Sequence, residues 1–134
     1  MAALLKVTPE EVAELETRGR LLSVPPSSRP SRDYPLYQAL PGVVGPPLEA
    51  VLELFLRARN AGEIHIANWE MASFFLIPTP FLVWLTPLEV MLGQRVYDDP
   101  LEQEAAWLLR QDAAFRIRAA LAAAHDESMH RRSP

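Results

Sequence analysis

A chain of 134 residues with 49% hydrophobic and 22% charged side chains can bury a core of its own, and its composition is that of a globular protein and not of a disordered chain. The absence of cysteine excludes disulfide scaffolds, thiolate metal sites and thiol nucleophiles and fits a cytoplasmic protein. A formal net charge of -4 argues against general nucleic-acid binding, which needs a basic surface to meet phosphates.

The opening Met1 to Lys6 turns polar too soon for a secretory signal. A helix-start phrase then occurs three times: Thr8-Pro9-Glu10-Glu11, Thr86-Pro87-Leu88-Glu89 and Asp99-Pro100-Leu101-Glu102. In each, the first side chain can accept from orphan amides, proline occupies the first helical position, and glutamate follows near the positive end of the helix dipole. From the first start, Pro9 to Arg18 predicts a helix with Val12 and Leu15 on one face, closed by Gly19. Arg20 to Val24 suits a strand and Tyr34 to Gln38 its return, with a polar loop of prolines, serines, Arg29 and Arg32 between them. Helix, hairpin and basic loop in that order predict a small winged-helix-like unit over 1-40.

A linker over 41-47 is marked by Gly42, Gly45, Pro46 and Pro47. Leu48, Val51, Leu52, Phe55 and Leu56 then set out an amphipathic helix stopped near Gly62, opening a compact helical domain over 48-124. Asn68 is a candidate N-cap for an apolar helix from Trp69 to Ile77, which Pro78-Thr79-Pro80 must end. The uncharged run from Met71 to Leu88 is cut by three prolines and reads as buried core, not as a membrane span. Phe81 to Leu85 is a short buried run of either type, before a helix from Pro87 to Leu92 that stops at Gly93. From Pro100 to about Ala124 the apolar spacing predicts one helix, or two joined near Gln111 because Asp112 interrupts the stripe. His125 to Pro134 reads as a polar, frayed tail. The fold class expected is therefore mainly α, with a β-hairpin confined to the N-terminal unit.

Chemistry-bearing patterns are sparse. His65, His125 and His130 have no carboxylates at metal-ligand spacing, so no metal or catalytic residue is assigned, and His65 between two isoleucines reads as a half-buried, hydrogen-bonded side chain. Five dispersed glycines form no phosphate loop, and no nucleophile elbow occurs. No cofactor is expected, and binding becomes the default over catalysis. Arg18, Arg20, Arg29 and Arg32 could meet a phosphate backbone, and they motivate a rival reading as a stand-alone winged-helix transcription regulator. Glu10, Glu11, Glu14 and Glu16 on the adjacent helix oppose it. Trp69, Phe74, Phe75, Phe81 and Trp84, interleaved with Met71 and Met91, could form either a partner-binding face or ordinary core.

The stretch Trp69 to Val96, with Trp69, Leu76, Pro78, Thr86, Pro87, Leu88 and Gly93, resembles the toxin-binding domain of Xre/MbcA/ParS-like antitoxins. Leu4 to Gln38 is similar to the helix-turn-helix and hairpin preceding that domain in some members, here truncated. The resemblance implies a homodimeric antitoxin that covers a cognate RES-type toxin acting on NAD, and that also represses its own operon by binding operator DNA. Trp69, Trp84, Leu88, Met91 and Arg95 are then the candidate partner-binding residues, and Arg18, Arg20, Arg29 and Arg32 the candidate DNA contacts.

Overall fold

The computed structural model describes residues 1-24, 33-96, 98 and 100-132. Their regular structure is entirely helical: α1 (Ala2–Leu5), α2 (Pro9–Thr17), α3 (Pro46–Asn60), α4 (Asn68–Phe74), α5 (Pro87–Leu92), α6 (Gln103–Leu109) and α7 (Ala113–His130), with 3-10 turns at Leu36–Ala39 and Pro80–Leu82.

Two of the three start phrases cap as their sequence requires. Glu11 N–H donates to Thr8 Oγ1 at 3.1 Å, and Glu89 N–H donates to Thr86 Oγ1 at 3.0 Å. Each glutamate reaches back to the backbone N–H of its threonine, completing the reciprocal box. The third phrase does not start a helix at Pro100. α6 begins at Gln103 with Glu102 as its N-cap, and Leu101 stays exposed, so a turn begun at Pro100 would gain no burial. Asp99 lies outside the described residues. The break at Asp112 is real, and this side chain caps α7 by accepting from Phe115 N–H at 2.8 Å.

The expected hairpin is absent, which corrects the winged-helix reading: among the described residues Val24 and Asp33 form an isolated antiparallel bridge and no strand or sheet. Leu21, Leu22 and Ser23 are consecutive and all buried, so this segment lacks the alternation that gives a strand one wet and one dry face. Its backbone partner is a side chain. Buried Gln38 accepts from Leu22 N–H at 2.8 Å through Oε1 and donates to Leu22 O at 2.9 Å through Nε2. The segment meant to return as a strand is instead wound into the 3-10 turn after Pro35. The loop 25-32 lies outside the described residues.

One buried cluster runs from Val12 through Leu21, Leu22, the inner faces of α3, α4 and α5, and on to Ala124. Val43, within the stretch expected as a linker, is fully buried in it. Phe55, Phe74, Phe75 and Tyr37 form a chain of ring contacts with centroids 5.2 to 5.4 Å apart, and Tyr37 donates its hydroxyl to Ala72 O at 2.8 Å. Burial pushes that hydroxyl well above its ordinary range. A polar thread ties the N-terminal part to this core. Glu16 accepts from Ser23 and Tyr34, Asn68 donates to Ser23 O at 2.9 Å, and Arg59 donates to Asn68 Oδ1 at 2.8 Å.

α7 packs against α3, α5 and the Pro80–Leu82 turn. Its buried Ala120, Ala123 and Ala124 have no bulk to hold these elements away. The helix does not fray at His125. It runs to His130, buries Ser128, and is followed by Arg131, which bonds Glu70 and Glu127 at 2.9 Å each. None of the helices among the described residues is long and apolar enough to cross a membrane.

Candidate partner-binding surface

The aromatic residues around the proline break divide into two sets. Phe74, Phe75, Met71 and Met91 turn inward, whereas Trp69, Phe81 and Trp84 keep 61%, 48% and 66% of their surface exposed. The division follows from helix geometry. On α4, Met71 and Ala72 face the core, as does Phe75 at its C-cap, and Trp69 lies on another side of the helix. α4 ends at Phe74, short of the expected Ile77, and Leu88 N–H bonds Phe75 O at 3.0 Å, joining the start of α5 to the end of α4.

The residues from Thr79 to Leu85 close on themselves. Trp84 N–H donates to Thr79 O at 2.9 Å and Thr79 N–H donates to Leu85 O at 3.2 Å. Closure places Val83 at φ 49° and Trp84 at φ 69°, in the left-handed region that side chains rarely occupy. A strained turn thus carries the most exposed of these aromatic side chains. Contrary to the expectation of a wholly buried run, Phe81 and Trp84 project while Leu82 and Leu85 are buried.

Two clefts follow one face of α7 on either side of this turn. Trp69, Ile77, Thr79 and Ala123 line the first, together with Glu70, Asp126, Glu127 and Arg131. Phe81, Val83, Trp107 and Ala119 line the second. Ala119 and Ala123 are one helical turn apart, which sets both clefts on the same stripe of α7. Trp107, 49% exposed, also meets Phe115 edge-on at 5.6 Å. Large apolar side chains exposed together in this way are a mark of contact surfaces.

Of the five residues expected to bind a partner, Trp69 and Trp84 are exposed, Leu88 and Met91 are core, and Arg95 is half-buried beside Glu89 at 3.3 Å. Glu89 is fully buried and accepts from Thr86 N–H at 2.9 Å and Val96 N–H at 3.0 Å. Burial pushes its carboxyl up, but the N–H groups of Thr86 and Val96, the charge of Arg95 and the Thr86 hydroxyl together hold it below the ordinary carboxylate range. This group locks α5 in place. Sequence reasoning missed Ile77, Trp107, Asp126 and Glu127. Trp107 carries a signal, since it falls off the apolar lines Leu101-Ala105-Leu108-Phe115 and Leu109-Ala113-Ile117-Leu121.

Arg18 and Arg20 line an open cleft with Arg57 and Arg59, but Glu16, Glu49 and Glu53 line it too. Arg18 is paired to Glu14 and Arg57 to Glu53, both at 2.5 Å. Arg29 and Arg32 lie outside the described residues. His65 is exposed, not half-buried as expected. Among the described residues no group of three or more histidine or acidic side chains could hold a metal ion. No protein-family model, curated protein or solved structure matches the chain.

Proposed function

We propose that this protein works by binding and covering a partner protein, in the manner of the antitoxins that its Trp69 to Val96 stretch resembles, with a RES-type, NAD-acting toxin as the partner class. The observation that carries the reading is the set of exposed Trp69, Ile77, Phe81, Trp84 and Trp107 gathered along α7 and the strained turn. Leaving so much apolar surface wet is costly, and covering it on association recovers that free energy. A homodimer and operator binding belong to the same reading. The second has the weaker support, because exposed Glu10, Glu11 and Glu14 lie on α2 and Arg18 is held by Glu14.

The test is co-expression with the product of the neighbouring gene. A stable complex that suppresses that product's toxicity is expected, and it should be lost in the Trp69→Ser/Trp84→Ser double variant while the melting temperature of the isolated chain is not lowered. A RES-type neighbour whose toxicity is unaffected and which forms no complex overturns the reading.

A further inference from the structure

The cleft between α4 and α7 combines an aromatic wall with an uneven charge. Trp69 and Ile77 form its apolar side, and the space between the helices amounts to about 250 Å³, enough to take in side chains. Glu70, Asp126 and Glu127 line it together with Arg131, so three carboxylates meet one guanidinium and two negative charges remain. Arg131 is shared between Glu70 and Glu127, at 2.9 Å from each. The Asp126 carboxylate faces His130 at 3.5 Å, a pairing that is ionic only when the imidazole is protonated. The cleft therefore presents an exposed indole next to a net negative charge. An indole face attracts cations that come within about 6 Å of it, and carboxylates at an interface edge select basic partners. Phosphates of nucleic acid and of anionic lipid would be repelled by the same carboxylates.

We infer that this cleft takes a basic, amphipathic segment of the partner protein, with its apolar side chains on Trp69 and Ile77 and its lysines or arginines against Asp126 and Glu127. The inference rests on the partner-binding reading and adds to it the chemistry of what is bound.

Two synthetic peptides of equal length test it, each with a leucine stripe at helical spacing, one flanked by lysines and the other by glutamates. They are titrated into the full chain by calorimetry at low salt and at about 0.5 M salt. The lysine peptide should bind at least about tenfold more tightly than the glutamate peptide, and salt should narrow the difference. Asp126→Asn/Glu127→Gln should weaken the lysine peptide by about tenfold. Trp69→Ser should weaken it further, whereas Glu10→Gln/Glu14→Gln, the same change of charge on α2, should leave it unaltered. Failure of the lysine peptide to bind, equal binding of the two peptides, or equal weakening by the α2 variant would overturn the inference. A neighbour complex that survives both cleft variants would also overturn it while leaving the broader reading intact.

Discussion

Arg116 occupies the space that a side chain on Gly93 would need: a Cβ built on Gly93 would lie 2.5 Å from its Nη1. From the first turn of α7 this guanidinium donates to Val90 O at 2.9 Å and Met91 O at 3.0 Å, satisfying carbonyls that the end of α5 leaves open. Gly93 itself is at φ 74°. Gly93→Ala should cost about 2 kcal/mol, from backbone strain and displacement of the guanidinium, and Arg116→Met about 1 to 2 kcal/mol from the carbonyls it leaves unpaired. The double variant should cost less than the sum, because the alanine no longer has a guanidinium to displace. Urea unfolding of the four proteins measures this, and strict additivity would show that the two positions do not interact.

Glu89 should make the fold sensitive to acid. Its folded value lies below the ordinary carboxylate value, so its contribution is present above the unfolded value of about 4.3 and is lost as pH falls through the folded one. Glu89→Gln keeps the shape but turns an amide donor toward the N–H of Thr86 or Val96, and should cost about 2 kcal/mol at neutral pH. Near pH 3 the gap between the two proteins should narrow. A gap that stays constant from pH 7 to about pH 3 would remove the carboxylate charge from the account.

The two capping boxes allow a comparison of one motif in two environments. Thr8 and Glu11 are exposed, whereas Thr86 and Glu89 are buried. Thr8→Ala should cost about 0.5 to 1 kcal/mol, and Thr86→Ala about 2 kcal/mol, since water cannot replace the lost acceptor at the buried site. Thermal unfolding reads the order of the two.

Trp84 should be a residue whose removal helps the isolated chain. Asparagine tolerates the left-handed region better than tryptophan does, and Trp84 is mostly exposed, so Trp84→Asn should raise stability by about 0.5 kcal/mol or more. The same variant should bind the partner less well, a trade between stability and function. A lowered melting temperature would mean that the indole packs on the fold and is not held outward for contact.

Much of the helical layout was legible because its signals are local. Thr8, Thr86 and Gly93 act on the turn that follows or precedes them, and Asp112 both breaks an apolar stripe and caps the next helix. What misled was non-local. Arg20 to Val24 reads as a strand because no rule of spacing announces that Gln38, far along the chain, will take the place of a strand partner. Asp99-Pro100-Leu101-Glu102 matched the cap phrase, yet no neighbouring element buries its first turn, as the core does for Thr86. The polar run after His125 looked free, but Arg131 anchors it to Glu70 across the fold. For the surface, two of five expected contacts are exposed. Leu88 belongs to the motif and Met91 lies within the stretch that carries it, and only packing shows that both face inward.

The pairing of Gln38 with Leu22 also bears on how the chain behaves in a crowded solution. A single carboxamide, by spanning both backbone groups of one residue, uses up hydrogen-bonding capacity that an extended segment would otherwise offer to a passing strand. Gln38→Leu would release the Leu22 N–H and C=O without a substitute, so aggregation seeded at residues 21 to 24 would be the penalty for losing a side chain that touches neither the aromatic surface nor the acidic cleft.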